Sequence, residues 1–104
     1  MQQLDHHSLQ LMRIFRRKGG AAGKKIKNIM ADLDKDDAIE TKRACVLKAL
    51  VVYLNEDPET LIKEYIVSLF FFLHLLSTHL IFENVSNVYI FRRVYKQMNG
   101  TKNF

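Results

Sequence analysis

The sequence predicts an all-α fold: a small bundle of three or four amphipathic helices, followed by a hydrophobic helix and a short basic C-terminal helix. Three observations carry this. Apolar residues recur at the helical period, most cleanly as Ile26, Ile29, Met30 and Leu33 at i, i+3, i+4 and i+7. Asp, Ser and Pro stand where helices need starts, and glycines stand where they need stops. The run "SLFFFLHLLSTHLIF", residues 68–82, holds no charge in a chain that is 26% charged. Residues 1–67 then read as a helical domain or domain fragment, 68–82 as the hydrophobic helix and 83–104 as a short basic tail.

The first helix is expected from Asp5 or Ser8, either of which can cap it, to Lys18, with Gly19 supplying a left-handed stop. Leu11, Ile14 and Phe15 make one face and Arg13, Arg16 and Arg17 another. Basic residues in the last turn suit the negative end of the helix dipole. "GGAAG" breaks the chain, and a second helix runs from Gly23 to Leu33. "DLDKDD" is a polar turn in which Asp36 or Asp37 can accept from the free amides of a third helix, with Glu40 in capping-box position. Ile39, Val46, Leu47, Leu50, Val51 and Leu54 form that helix's core face; "LVVYL" has strand propensity too, but helical spacing persists on both sides. A fourth helix starts with Asp57 as cap, Pro58 at the first position and Glu59 at the positive dipole end, and Leu61, Ile62 and Tyr65 continue its apolar face. After the uncharged run, "ENVSN" reads as a break. Phe91, Val94, Tyr95 and Met98 then give a short helix with Arg92, Arg93 and Lys96 elsewhere on its surface, and "NGTKNF" is expected to fray.

At 104 residues the chain is one domain at most. Its net charge is +5, from 16 basic and 11 acidic residues. The basic block 13–27 comprises Arg13, Arg16, Arg17, Lys18, Lys24, Lys25 and Lys27, while Asp32, Asp34, Asp36 and Asp37 crowd the next positions. Neighbouring blocks of opposite sign can neutralise each other within a fold, so the basic balance points only weakly to nucleic acid or anionic lipid. Those seven cations are the candidate anion or nucleic-acid contacts, but no aromatic residue interleaves with them and no helix-turn-helix pattern appears. A solvated basic face is the plainer reading. The lone Cys45 excludes an internal disulfide and, among Ala44, Val46 and Leu47, reads as a buried thiol.

Motifs for chemistry fail on their physics. "GGAAGKK" has one residue too few between its glycines for a phosphate loop, and Lys25 replaces the magnesium-binding hydroxyl. Asp32, Asp34 and Asp36 match the start of a calcium loop, yet Asp37 replaces its glycine and Arg43, a cation, stands where a bidentate Glu must. His6 with His7, and His74 with His79, lack the i, i+4 spacing of paired metal ligands. The serines lie in no nucleophile turn. The expectation is a non-enzyme without metal, cofactor or small-molecule substrate. Two Asn-x-Ser/Thr sequences, at Asn84 and Asn99, matter only if the tail is lumenal.

From 65 to 82 the chain runs uncharged, and as a helix that would span roughly 27 Å against a hydrocarbon core of about 30 Å. As part of a small bundle it reads poorly, because 69–73 is apolar all round. If it spans a membrane, 12 Lys and Arg before it against four after it keep the N-terminal region cytoplasmic.

"LMRIFRRK" with Gly19 to Tyr65, through the Arg17 to Gly20 turn, the "ACVLKALVVYLNEDP" core and "LIKEY", resembles a group of fish proteins labelled sterile alpha motif domain-containing protein 3-like. The similarity spans roughly residues 11–66, more than half of the chain, and lies outside the sterile alpha motif itself. It implies an internal piece of a larger intracellular protein, cytoplasmic or nuclear, with no established activity and no site residues to carry over. After Ile66 the chain departs from that pattern. The leading expectation is a non-catalytic protein-interaction module or truncated fragment; the alternatives are a small membrane-anchored protein and a weak nucleic-acid binder through residues 13–27.

Overall fold

The computed structural model describes residues 4–78 and 85–102, and among these every regular element is helical. In chain order they are α1 (His6–Arg16), α2 (Gly20–Met30), a 3-10 turn (Ala31–Asp34), α3 (Ile39–Glu56), α4 (Pro58–Glu64), α5 (Ile66–Thr78) and α6 (Val85–Lys102). The all-α bundle expected from the periodicity is what the chain forms.

Asp5 caps α1 as its position suggested. Its Oδ1 accepts from the Ser8 amide at 2.9 Å and its Oδ2 from the Ser8 hydroxyl at 2.8 Å, so a serine with no exposed surface is fully satisfied. The helix ends at Arg16, short of Lys18, and the left-handed residue is Gly20 (φ +74°), not Gly19, whose backbone is extended. Gly19 is instead the N-cap of α2, which therefore starts three residues before the expected Gly23. The physical reason is close approach. A Cβ on Gly23 would collide with the Lys18 carbonyl, so only glycine lets α2 leave the end of α1 this tightly. At its far end α2 stops at Met30, and the 3-10 turn carries Leu33 into the core without a full α-helical turn.

Ala38, not Asp36 or Asp37, is the N-cap of α3, and no capping box forms. Asp36 works from just outside the helix, accepting from the Ala38 amide at 2.9 Å and the Thr41 hydroxyl at 3.2 Å. The start of α4 follows expectation: Asp57 accepts from the Thr60 amide and hydroxyl, with Pro58 in the first turn.

The uncharged run resolves into a one-sided helix. The chain turns at Tyr65, and α5 packs against α1, α4 and α6. Leu69, Phe72, Leu73 and Leu76, at i, i+3, i+4 and i+7, are fully buried in the same cluster as Leu11 and Phe15 of α1, Leu50 of α3 and Leu61 of α4. Val67 and Phe71 face out, 52% and 47% exposed. A small bundle thus buries one face of α5 and leaves the other open. With 13 residues α5 measures about 20 Å, and among the described residues no helix is long and apolar enough to cross a membrane. The alternative of a membrane-spanning helix over 65–82 is therefore not met by the part that is described; residues 79–82 lie outside it. α6 is longer than the short helix expected: "VSN" at 85–87 and "NGT" at 99–101 are helical rather than break and frayed end. Of the apolar series, Val94 is buried and Met98 half-buried, but Tyr95 is 47% exposed.

Candidate interaction surface

Of the seven cations singled out as anion contacts, six are exposed: Arg13, Arg16 and Arg17 at the end of α1, and Lys24, Lys25 and Lys27 on α2. Arg13, Arg16 and Arg17 share a helix face by spacing; the glycine joint then divides them from the lysines of the next helix. Lys18 is used internally. Its ammonium lies 3.2 Å from a Glu56 carboxylate oxygen and 5.4 Å from the Tyr53 ring centroid. The hydrogen bond to Glu56 holds its pKa above the usual lysine value. Beside it opens a cleft of about 300 Å³ lined by Ile14, Arg17, Lys18, Gly19, Tyr53 and Tyr65. Tyr53 closes one wall, and burial pushes its phenol pKa up, so it stays a neutral hydroxyl.

Two of the three carboxylates of the calcium-like loop are spent locally. Asp32 pairs with Lys35 at 2.8 Å, which holds its pKa below the carboxylate range, and Asp36 serves the start of α3. Among the described residues no three His, Cys, Asp or Glu side chains gather as metal ligands. The Cys45 thiol is buried, donates to the Ile29 carbonyl at 2.9 Å, and has its pKa raised by burial. A thiol held protonated in this way is a poor nucleophile.

What the structure does assemble is a belt of rings over α1, α5 and α6. His7 stacks on Phe71 with centroids 4.9 Å apart and planes 14° apart. Phe71 meets Phe70 edge-on at 5.8 Å, and Phe70 in turn lies 5.9 Å from His74 and 5.8 Å from Tyr95. Polar contacts anchor the belt from below: the buried Ser68 hydroxyl donates to Gln10 Oε1 at 2.9 Å and lies 3.3 Å from His7 Nδ1. The outer side of the belt carries Val67 and Phe71 on α5 and Tyr95 on α6, with Leu9 of α1 also 43% exposed. Sequence reasoning missed these four. Leu9 and Tyr95 sit in ordinary amphipathic patterns, and Val67 and Phe71 sit in a run whose two faces are equally apolar. The one available signal was Ser68, a small polar residue that marks the α1-facing side.

Comparison of the chain with protein-family models, with curated proteins and with solved structures finds no match.

Proposed function

We propose that this chain is a non-catalytic protein-interaction module, a piece of a larger intracellular protein, whose working surface is the outer face of α5. The observation that carries this is the exposure of Val67 and Phe71 on a helix without a single charge. Large apolar side chains clustered in the open mark contact surfaces, and aromatic ones dominate contact energies. The resemblance of residues 11–66 to the sterile alpha motif domain-containing protein 3-like group supports a place within a larger protein. The test is a photo-crosslinking residue at position 67 of the full chain in cells. A discrete adduct with a second protein, absent when the same residue replaces Lys25 on α2, is the expected outcome; identical patterns from both positions would remove the basis of the proposal.

A second reading rests on the six exposed cations: weak nucleic-acid binding through Arg13, Arg16, Arg17, Lys24, Lys25 and Lys27. Affinity for duplex DNA or RNA that fails to decline as salt rises excludes it.

A further inference from the structure

We infer that the partner segment taken by the α5 surface is an acidic amphipathic helix of another protein; the inference rests on the interaction reading above. The surface belongs to α5 together with α1 and α6, which carry the other rings of the belt; α4, with Glu59 and Glu64, also packs against α5. None of α1, α5 and α6 contains an Asp or Glu. The carboxylates of the chain lie between positions 32 and 64, apart from Asp5, which is engaged by Ser8, and Glu83, outside the described residues. The flanking helices instead present exposed cations: Arg13 on α1, and Arg92 and Lys96 on α6. Tyr95 shares a face with Arg92 at i−3, so an exposed ring and a cation stand together on the α6 flank, and Arg13 stands on the α1 flank. Between them Val67, Phe71 and His74 run along α5 at i, i+4 and i+7, about two helical turns, the repeat with which a helix engages an amphipathic partner.

Charge and geometry choose among occupants. A second copy would set cationic flanks against cationic flanks, and like charges across an interface oppose docking. A bilayer needs apolar side chains that reach about 5–10 Å beneath the headgroups, whereas the exposed Phe71 ring is held against the bundle, stacked on His7 and braced edge-on by Phe70. A ring fixed in this way loses little freedom on binding, which suits an anchor for a structured protein partner. Glutamates and aspartates beside that partner's apolar stripe would meet the arginines and Lys96.

The experiment selects displayed helical peptides of about 18 residues, five turns, on the full chain, with a Val67→Ser, Phe71→Ala double variant as the counter-target. Enriched peptides are expected to combine an i, i+3/i+4, i+7 apolar stripe with net negative charge. Their Kd should rise at least about tenfold with Phe71→Ala, and severalfold with Arg92→Glu plus Lys96→Glu or with salt raised from about 50 to about 300 mM. Lys25→Glu on α2 should leave it within about twofold. Peptides that need Phe71 but are neutral or basic overturn the acidic partner and leave the interaction reading standing; enrichment equal on the double variant overturns both. Binding to phosphatidylserine vesicles that Phe71→Ala abolishes, or a dimer by sedimentation that it dissociates, assigns the surface to lipid or to a second copy and also overturns the partner. The Arg92 and Lys96 substitutions alter exposed side chains, so the charge test holds even where the Phe71 variant fails to fold.

Discussion

α3 and α5 build the same core with similar inner faces, and they differ on the outside. α3 buries Cys45, Val46, Leu47, Ala49, Leu50, Tyr53 and Leu54, and turns Glu40, Lys48, Asn55 and Glu56 to solvent. α5 buries Leu69, Phe72, Leu73 and Leu76, and turns Val67, Phe71 and His74 outward. A bundle of this size asks only that a helix have an apolar inner face. The outer face is free to be polar, and in α3 it is. The apolar outer face of α5 is therefore more than packing among the described residues requires.

That contrast can be broken at its inner faces first. Phe72→Ala should cost about 3–5 kcal/mol and Leu50→Ala about 2–5 kcal/mol, read as loss of urea resistance by circular dichroism; a Phe72→Ala chain as stable as wild type would mean that α5 adds nothing to the core. At the seam, Ser68→Ala leaves Gln10 and His7 without their partner and should cost about 1 kcal/mol, against about the same for Asp57→Ala, which uncaps α4. Asp5 adds a pH dependence: burial alone would raise its carboxyl, but hydrogen bonds from Ser8 and the nearby Arg43 outweigh this and hold it below the usual range. Because its folded pKa is lower than the unfolded one, its contribution is present above about pH 4 and fades as pH falls through the folded value. Acid titrations of wild type and Asp5→Asn should therefore converge at low pH. Smallest of all, Phe71→Ser on the outer face should change stability by less than about 1 kcal/mol, and an effect as large as that of Phe72→Ala would show that the two faces are not distinct.

The fold was legible where polar and apolar residues alternate with helical period. Asp5, Asp57 and Pro58 mark true starts, and Ile26 and Leu33 and the Val46, Leu47, Leu50 series mark true core. The joint between α1 and α2 was misplaced, because close approach of Gly23 to the Lys18 carbonyl is a contact between two helices and leaves no local pattern. Asp36 was given the wrong station, since a carboxylate can serve a helix from two residues before the N-cap. In α5 periodicity fails outright: with leucine and phenylalanine on all sides, only the positions of α1, α4 and α6 decide which residues are inside. The basic block could be read as cations, but the withdrawal of Lys18 to Glu56 depends on the end of a helix 38 residues away. The ring belt joins three helices and has no linear signature.

Cys45 turns the α2–α3 contact into something that can be timed. The chain's single thiol sits under α2 with its hydrogen directed at the Ile29 carbonyl, so a thiol-specific dye reaches it only when α2 lifts from α3. Labelling rates under native conditions would then clock that opening alone, and comparison with the rate of global unfolding would show whether the glycine-jointed helix detaches as a unit or only when the whole bundle comes apart.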